Sequence, residues 1–225
     1  MFLEKFLKKD EVEEESTFPE VEEDLPEEEE DDSSVLEEFL SAIERNTSQD
    51  VDQTLGIVLA KARRITGAEA GSIFITRPVA EASCDLRACS TQNDCIDIKH
   101  ESFTIAINGS SIAGYVAQEG EVLHIDDLYD LPSEAPYIFN RSFDDKHGYH
   151  STSMLAFPLK NFNNAVIGVV QLINHISGVD ENGDTQYAPF SMKHVKQMES
   201  VMTILGVMIE RIDLLGEINK LRGKY

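Results

Sequence analysis

Hydrophobic residues repeat at helical spacing near both ends of the chain and at strand spacing in its centre. Ser34 and Glu37 form a capping-box pattern, and apolar residues then recur every three or four positions as far as Ile43. A second helical repeat begins near Asp50 and ends at Gly67. The pattern therefore predicts two helices before the centre of the chain.

The centre of the chain predicts short strands separated by turns. The runs are rich in β-branched and apolar residues and lie at 70–76, 86–91, 96–99, 103–107 and 122–125. Two of them, 86–91 and 96–99, are predicted to form a hairpin through Asn93 and Asp94. A short helix over 111–119 ends at Gly120, and a long loop follows over 126–140.

The last two strands give the clearest local signal. Residues 154–159 and 165–174 flank a turn at 161–164 that contains three Asn residues, which tolerate positive φ angles. Strands joined by a tight turn are antiparallel. The second strand is almost entirely apolar, so it is predicted to lie centrally with both faces covered. Helices at the ends and antiparallel strands between them predict an α+β fold.

The terminal helix is predicted from about Ser191 to Leu221. Its apolar residues recur at alternating steps of three and four, which is a heptad pattern: Val195, Met198, Met202, Leu205, Ile209 and Ile212. One interpretation is an amphipathic helix that lies on the sheet. Because the pattern continues towards Leu221, we favour a helix whose distal half forms a coiled coil in a homodimer.

Charge is distributed unevenly along the chain. The formal net charge is −23 at pH 7, and residues 10–32 carry fifteen Asp and Glu and no Lys or Arg. A segment of this composition buries too little apolar surface to fold, so residues 1–32 are predicted to form a disordered acidic tail. The acidic balance repels phosphate backbones and anionic lipids, so we expect neither nucleic acid nor a membrane as a partner.

The remaining composition narrows the class of protein. No apolar run in the sequence approaches the roughly 20 residues that a membrane span requires. The three cysteines, an odd number, are typical of a reducing compartment, and we expect a cytoplasmic location. The predicted organisation is a tail over 1–32, a helix over 33–48, a core over 49–190 and a terminal helix over 191–225.

Four stretches of the chain carry recognisable motifs in a fixed order. They are ARRITGAEAGSIF at 62–74, SIAGYVA at 111–117 with VLHIDD at 122–127, the segment 139–159, and IGVVQLIN at 167–174. Together they resemble a GAF domain of the kind found in cyclic-nucleotide phosphodiesterases and adenylyl cyclases. The resemblance covers roughly residues 50–215.

The resemblance implies a non-catalytic sensory domain in signal transduction. The implied fold is a six-stranded antiparallel sheet with flanking helices and a closed pocket for a small ligand, which is a cyclic nucleotide in some members. It implies no other cofactor and no metal, and a separate output protein would receive the signal. The positions that match ligand contacts in the family are Ile112, Ala113, Asn140, Asp144, His147 and Ser151.

One family signature is altered here. Nucleotide-binding members carry Asn-Lys, then Phe, then Asp-Glu, where this chain has Asn174-His175, Phe190 and His194-Val195. The Lys–Asp pair of that signature is therefore missing, and the identity of the ligand stays open.

An adaptor protein and a small redox or hydrolytic enzyme remain as alternatives. A GAF fold that has lost its ligand would act as a structural dimerisation or adaptor protein, with Tyr137 or Phe139 filling the pocket. A cysteine-dependent redox enzyme would place Cys84, Cys89 or Cys95 in the pocket beside a base, and a hydrolase would use Ser111. Structural zinc favours tight Cys-x-x-Cys pairs, which Cys84, Cys89, Cys95 and His100 do not form.

Overall fold

The computed structural model describes residues 34, 36–37, 39–41, 51–80, 83–98 and 103–222. The predicted tail over 1–32 lies outside these residues. Helical residues occur between 34 and 41, and four further helices follow in the described chain: α1 (Val51–Thr66), α2 (Ile112–Glu119), α3 (Ser142–His147) and α4 (Met192–Arg222). The strands are β1 (Ala68–Ala80), β2 (Ser83–Asn93), β3 (Thr104–Ala106), β4 (Leu123–Ile125), β5 (Met154–Lys160), β6 (Val166–Val179) and β7 (Thr185–Ala188).

One antiparallel sheet joins all seven strands. Six of them follow the order β3-β2-β1-β6-β5-β4, and β7 pairs with β6 beyond this path. The central strand β6 lies between β1 and β5. The predicted α+β class, the antiparallel sheet and the central position of the apolar strand are thus confirmed.

Two hydrophobic clusters lie on opposite faces of this sheet. The first cluster holds Leu59 of α1, Val170 and Leu172 of β6, and Met202 of α4, so both long helices cover one face. The second cluster contains Val169 of β6 and the short helix α2 on the other face. Successive residues of a strand point to opposite faces, and an apolar strand such as β6 can therefore contribute to both clusters.

Helix α4 packs along the sheet for much of its length. The apolar positions Val195, Met198, Met202, Leu205 and Ile209 of the predicted heptad are buried in the first cluster. The interpretation as an amphipathic helix on the sheet is therefore confirmed for residues 195–209. That part of the heptad pattern belongs to the core of the chain itself.

The predicted hairpin between 86–91 and 96–99 is wrong. Strand β2 pairs with β1 on one side and with β3 on the other. The side chain of Asn93 accepts hydrogen bonds from the backbone N–H groups of Cys95 and Ile96 at 2.8 and 2.9 Å, so the chain bends directly after β2. Lys99 lies outside the described residues.

Helix α3 and strand β7 were not predicted.

The described helices include none that is both long and apolar enough to cross a bilayer.

A glycine marks the closest approach of α4 to the sheet. A Cβ atom on Gly206 would lie 2.1 Å from the Lys160 carbonyl oxygen at the end of β5. Glu210, one turn further on, accepts a hydrogen bond from Asn161 Nδ2 at 2.9 Å and fixes the β5–β6 turn to the helix. The backbone contact therefore sets the distance between α4 and this turn.

We expect Gly206→Ala to lower the free energy of unfolding by about 1–3 kcal/mol, because the methyl group would push the helix away from β5. Gly56→Ala in α1 is the matched control, since its Cβ would meet Ser90 Oγ at an ordinary 3.7 Å. Urea denaturation should show this control to be neutral or stabilising by up to about 1 kcal/mol, the helix propensity of Ala over Gly. Equal effects of the two substitutions would contradict the assignment.

Candidate functional site

A recess of about 1540 Å³ opens on the sheet face that α2 covers in part. Its floor is formed by β1, β2 and β6, one wall by the start of α2, and its cover by α3 with the chain around it. The lining also passes around β2 to Gly56 and Ile57 of α1. Small-molecule sites commonly have about 300–1,000 Å³, so this recess has room for a ligand of that size.

A row of uncharged polar side chains crosses the floor of the recess. Thr91 of β2 lies opposite Ser72 of β1, and Ser72 lies opposite Gln171 of β6. Gln171 is 9% exposed and its Nε2 contacts only the Met154 sulfur, at 3.4 Å, among the described residues. Neither Gln171 Oε1 nor the Ser72 hydroxyl bonds to another group in that part of the chain, and neither atom is fully enclosed, so both are accessible from the recess. Because these hydroxyl and carboxamide groups face the recess with free hydrogen-bonding capacity, this row is suited to bind a polar ligand edge.

The wall of the recess is the N-terminus of α2. Ser111 caps this helix by accepting a hydrogen bond from Gly114 N at 3.0 Å. The next two residues, Ile112 and Ala113, are buried and line the recess. A Cβ on Gly114 would lie 2.3 Å from Ala106 O, so glycine allows the helix to start directly against β3. The end of a helix with free N–H groups favours an anionic group nearby.

We call residues 126–153 the capping segment, and a buried carboxylate fixes its fold. Asp144 of α3 is 3% exposed and accepts hydrogen bonds from Ser151 N, Ser151 Oγ and Tyr129 OH at 2.8, 2.9 and 2.9 Å. Tyr129 also stacks on His150, with ring centroids 4.4 Å apart. Asp144 therefore joins the beginning, middle and end of the capping segment.

The six ligand-contact positions expected from the sequence all line this one recess: Ile112, Ala113, Asn140, Asp144, His147 and Ser151. They differ in what they offer. Asn140 is exposed and its Oδ1 accepts a hydrogen bond from Ser142 N at 3.0 Å, at the start of α3. His147 is exposed and packs on Phe143. Asp144 and Ser151 bond to each other, so their role in the structure is to hold the capping segment together.

Sequence reasoning missed a second buried carboxylate at the end of the recess. Glu69 is 2% exposed and accepts hydrogen bonds from Tyr149 OH at 2.5 Å, Asn174 Nδ2 at 3.1 Å, Cys95 Sγ at 3.1 Å and Tyr187 OH. Burial raises the pKa of Glu69, but these hydrogen bonds outweigh burial and hold the pKa below its ordinary value. We call these five residues the Glu69 cluster.

A ring cluster occupies the position of the altered family signature. His175, at the end of the β6 contact with β1, lies 4.7 Å from His194 and 5.5 Å from Phe190, measured between ring centroids. His175 Nδ1 donates to Thr66 O at 2.8 Å, which fixes its tautomer. These rings therefore connect β6 to the first turn of α4, where the signature would place a salt bridge.

The cysteines do not assemble a metal or thiol site. Among the described residues no group of three His, Cys, Asp or Glu side chains is placed to hold a metal. Burial raises the pKa of Cys89, and the hydrogen bond to Glu69 raises the pKa of Cys95 to about 11. A nucleophilic cysteine needs a lowered pKa, so both thiols are in environments that oppose reactivity.

An antiparallel sheet with long helices on one face and a covered recess on the other defines a small α+β domain with a candidate ligand site. The model of the GAF domain matches residues 50–209, which is well over half of the chain. The chain therefore belongs to the GAF domain family, a regulatory fold that senses small ligands in signalling proteins.

Solved structures share this fold at low sequence identity. A methyl-accepting chemotaxis protein fragment is 17% identical with a TM-score of 0.59, covering 79% of this chain and 98% of that one. The GAF domain of a Coxiella burnetii phosphoenolpyruvate-protein phosphotransferase is 16% identical with a TM-score of 0.56, over 83% and 99%. Free methionine-R-sulfoxide reductase from Neisseria meningitidis is 18% identical with a TM-score of 0.54, over 78% and 86%. The fold thus serves regulators and at least one enzyme.

The ring cluster predicts a pH-dependent stability. Burial, followed by nearby His175, Lys193 and His124, lowers the pKa of His194 to about 4 from an ordinary 6.5. His194 Nδ1 accepts a hydrogen bond from Ser191 N at 3.2 Å, which the protonated ring cannot do. Between these pH values the unfolded chain binds the extra proton, so we expect stability to fall as the pH drops from about 6.5 to about 4.

Urea denaturation at several pH values would measure this slope. His194→Asn keeps an acceptor for Ser191 and should make the slope shallower over that range. The same substitution at exposed His147, on α3, is the control and should leave the slope unchanged. If the dependence of stability on pH is unchanged in His194→Asn, protonation of His194 is not the cause of the loss of stability at low pH.

Proposed function

We propose that this protein binds a small molecule in the recess and acts as a regulatory domain through a helix-mediated homodimer. The observation that carries the proposal is the row formed by Thr91, Ser72 and Gln171. It places hydroxyl and carboxamide groups with free hydrogen-bonding capacity on the floor of the recess, where a ligand can reach them.

The aromatic residues of the capping segment support a ligand-binding role over an adaptor role. Tyr137 packs on Tyr115 at 5.1 Å, and Phe139 packs on Tyr129 at 5.5 Å, between ring centroids. Phe139 borders the recess, and both residues pack against the second hydrophobic cluster. They therefore leave the floor accessible instead of filling it.

The lining favours a ligand with an uncharged polar edge and an anionic group. The floor offers a hydroxyl and a carboxamide for hydrogen bonds, and the N-terminus of α2 favours negative charge. A cyclic nucleotide has both features, a heterocyclic base and a phosphate. We therefore infer a cyclic nucleotide or a compound of similar chemistry, with Ile112 and Ala113 at the anionic group.

We expect a panel of cyclic nucleotides and related anions to contain a compound that raises the melting temperature. A ligand at 100 times its Kd stabilises the native state by about 2.7 kcal/mol, which corresponds to several degrees for a domain of this size. Gln171→Leu should abolish the shift because it removes the polar floor at similar volume. Differential scanning fluorimetry measures both effects.

The control for Gln171→Leu is Gln118→Leu, on the exposed side of α2, which should keep the full shift. A ligand shift that survives in Gln171→Leu would place the binding site elsewhere. If no compound in the panel shifts the wild-type protein, the proposal of a cyclic nucleotide or related anion fails.

The outward face of α4 supports the homodimer. Val207 and Leu214 are 43% and 49% exposed, on the side of the helix opposite the buried face. Phe162, at 68% exposure, lies beside them because its backbone N–H bonds to Glu210, which stands between Val207 and Leu214 on the helix. Exposed large apolar residues that share one helix face favour an interaction surface.

We expect Val207→Asp combined with Leu214→Asp to convert a dimer into a monomer, because the substitutions place two charges on the contact face. Light scattering coupled to size-exclusion chromatography measures the mass. Val179→Asp, at a site 70% exposed on β6, is the control and should stay dimeric. A wild-type protein that is monomeric at all accessible concentrations would refute this part of the proposal.

A further inference from the structure

The Glu69 cluster collects side chains from separate parts of the fold around one carboxylate. Tyr149 belongs to the capping segment, Tyr187 to β7, and Asn174 to β6. Cys95 lies in the bend that follows β2 and also donates to Glu69. Tyr149 is also part of the recess lining, whereas β7 is the strand that leads into α4. The carboxylate therefore lies between the recess and the start of the terminal helix.

Neutral donors hold this buried charge without a cation. Arg63 bonds to the backbone carbonyl of Glu69 and to Asp94, and within the described residues no Lys or Arg pairs with the Glu69 carboxylate. A buried anion that loses a donor keeps the full cost of desolvation. The position of each donor is thus important for the others, because all of them stabilise the same two oxygen atoms.

The two oxygen atoms divide the donors between the two sides. Oε2 accepts from Tyr149 and Asn174, and Oε1 accepts from Tyr187 and Cys95. The carboxylate is rigid and planar, so a bond at Oε1 fixes the direction of Oε2. The bond from Tyr187 on β7 therefore helps to present Oε2 to Tyr149 in the capping segment.

Asn174 strengthens this connection on the same side. Its φ angle of 59° turns the β6 backbone out of regular pairing, and its Oδ1 accepts hydrogen bonds from Thr152 N and Oγ1 at 2.6 and 3.0 Å. Its Nδ2 also donates to His150 O at 2.9 Å. The end of the capping segment is thus fixed to β6 by the same residue that donates to Glu69.

The route continues from this point to α4. Ser153 Oγ donates to Ala188 O on β7 at 3.1 Å and accepts from His175 N at 3.3 Å. His175 then contacts Phe190 and His194 at the start of α4. An unbroken series of hydrogen bonds and ring contacts therefore joins the cover of the recess to the first turn of the helix.

We propose that Glu69 couples closure of the capping segment to the junction between β7 and α4. The inference rests on the proposed function, because it names the contacts through which binding in the recess would affect α4. Glu69 is a positioning residue here, since it acts through Tyr149 and Tyr187. Coupling of this kind is reciprocal, so a change on either side must affect the other.

Hydrogen exchange of the full-length protein without any ligand tests the coupling. Tyr187→Phe removes a donor on β7, and we expect exchange in residues 141–153 to rise about tenfold, the loss of one hydrogen bond to a charged group. Tyr149→Phe removes the donor in the capping segment and should increase exchange in residues 185–195. The double variant should show less than the sum of the two effects, since both act on one carboxylate.

Tyr115→Phe is the matched control. Tyr115 borders the capping segment through Tyr137 and lies outside the Glu69 cluster, so its loss of a hydroxyl should leave both peptides unchanged. Val201→Ala, on the buried face of α4, supplies a variant of lowered global stability. We compare variants that lose the same global stability. Each Tyr variant should then raise exchange in its distant peptide (141–153 for Tyr187→Phe, 185–195 for Tyr149→Phe) more than Val201→Ala does.

Additive effects, or exchange that follows global stability alone, would overturn the coupling. Glu69→Gln gives a second measurement in which both peptides should change together. Because no ligand is present in these experiments, their failure leaves the ligand test of the recess unaffected. A negative ligand panel would in turn refute the proposed sensing while the measured coupling still stood.

Discussion

The pairing of β6 with β1 and β5 is the constraint on which the other features depend. This register directs Val170 and Leu172 to the long helices, and Val169, Gln171 and Ile173 to the recess side. A slip by one residue would exchange the two sets and place Gln171 in the apolar core under α4. The register therefore sets the core and the polar floor at the same time.

The end of β6 makes polar contacts, whereas its middle packs in the apolar core. At Asn174 the backbone leaves the regular ladder, and the residue opposite it on β1 is Glu69, between the pairs Ala68–His175 and Ala70–Ile173. Polar side chains replace the apolar core here because the capping segment, β7 and α4 all converge on this point. A hydrogen-bonded network is directional, so it can specify how these elements meet more sharply than apolar packing does.

The parts of the fold that could be predicted are those encoded in local patterns. The apolar run before Asn174 indicated a central strand, and the Ser111 cap with Gly120 indicated α2. The hairpin between 86–91 and 96–99 failed because the chain bends at Asn93 and residues 96–98 form no strand, whereas β2 takes its partners from distant segments. The Glu69 cluster joins residues 80 and 118 positions apart, and no local pattern contains such contacts. The family resemblance located the recess lining because it compares whole domains, yet it gave no indication that Asp144 and Ser151 bond to each other.

The ring contacts near Glu69 also explain why the altered family signature is compatible with the fold. A salt bridge between β6 and α4 would connect the same two elements that His175, Phe190 and His194 connect through ring contacts. Ring packing is not weakened by salt as an exposed ion pair is, but burial disfavours the charged form of His194, so protonation of this ring opposes the contact. The junction between β6 and α4 therefore depends on pH through His194. The capping segment is closed by Asp144 and Glu69, two carboxylates whose donors are neutral, and it is joined to these rings through Ser153 and His175.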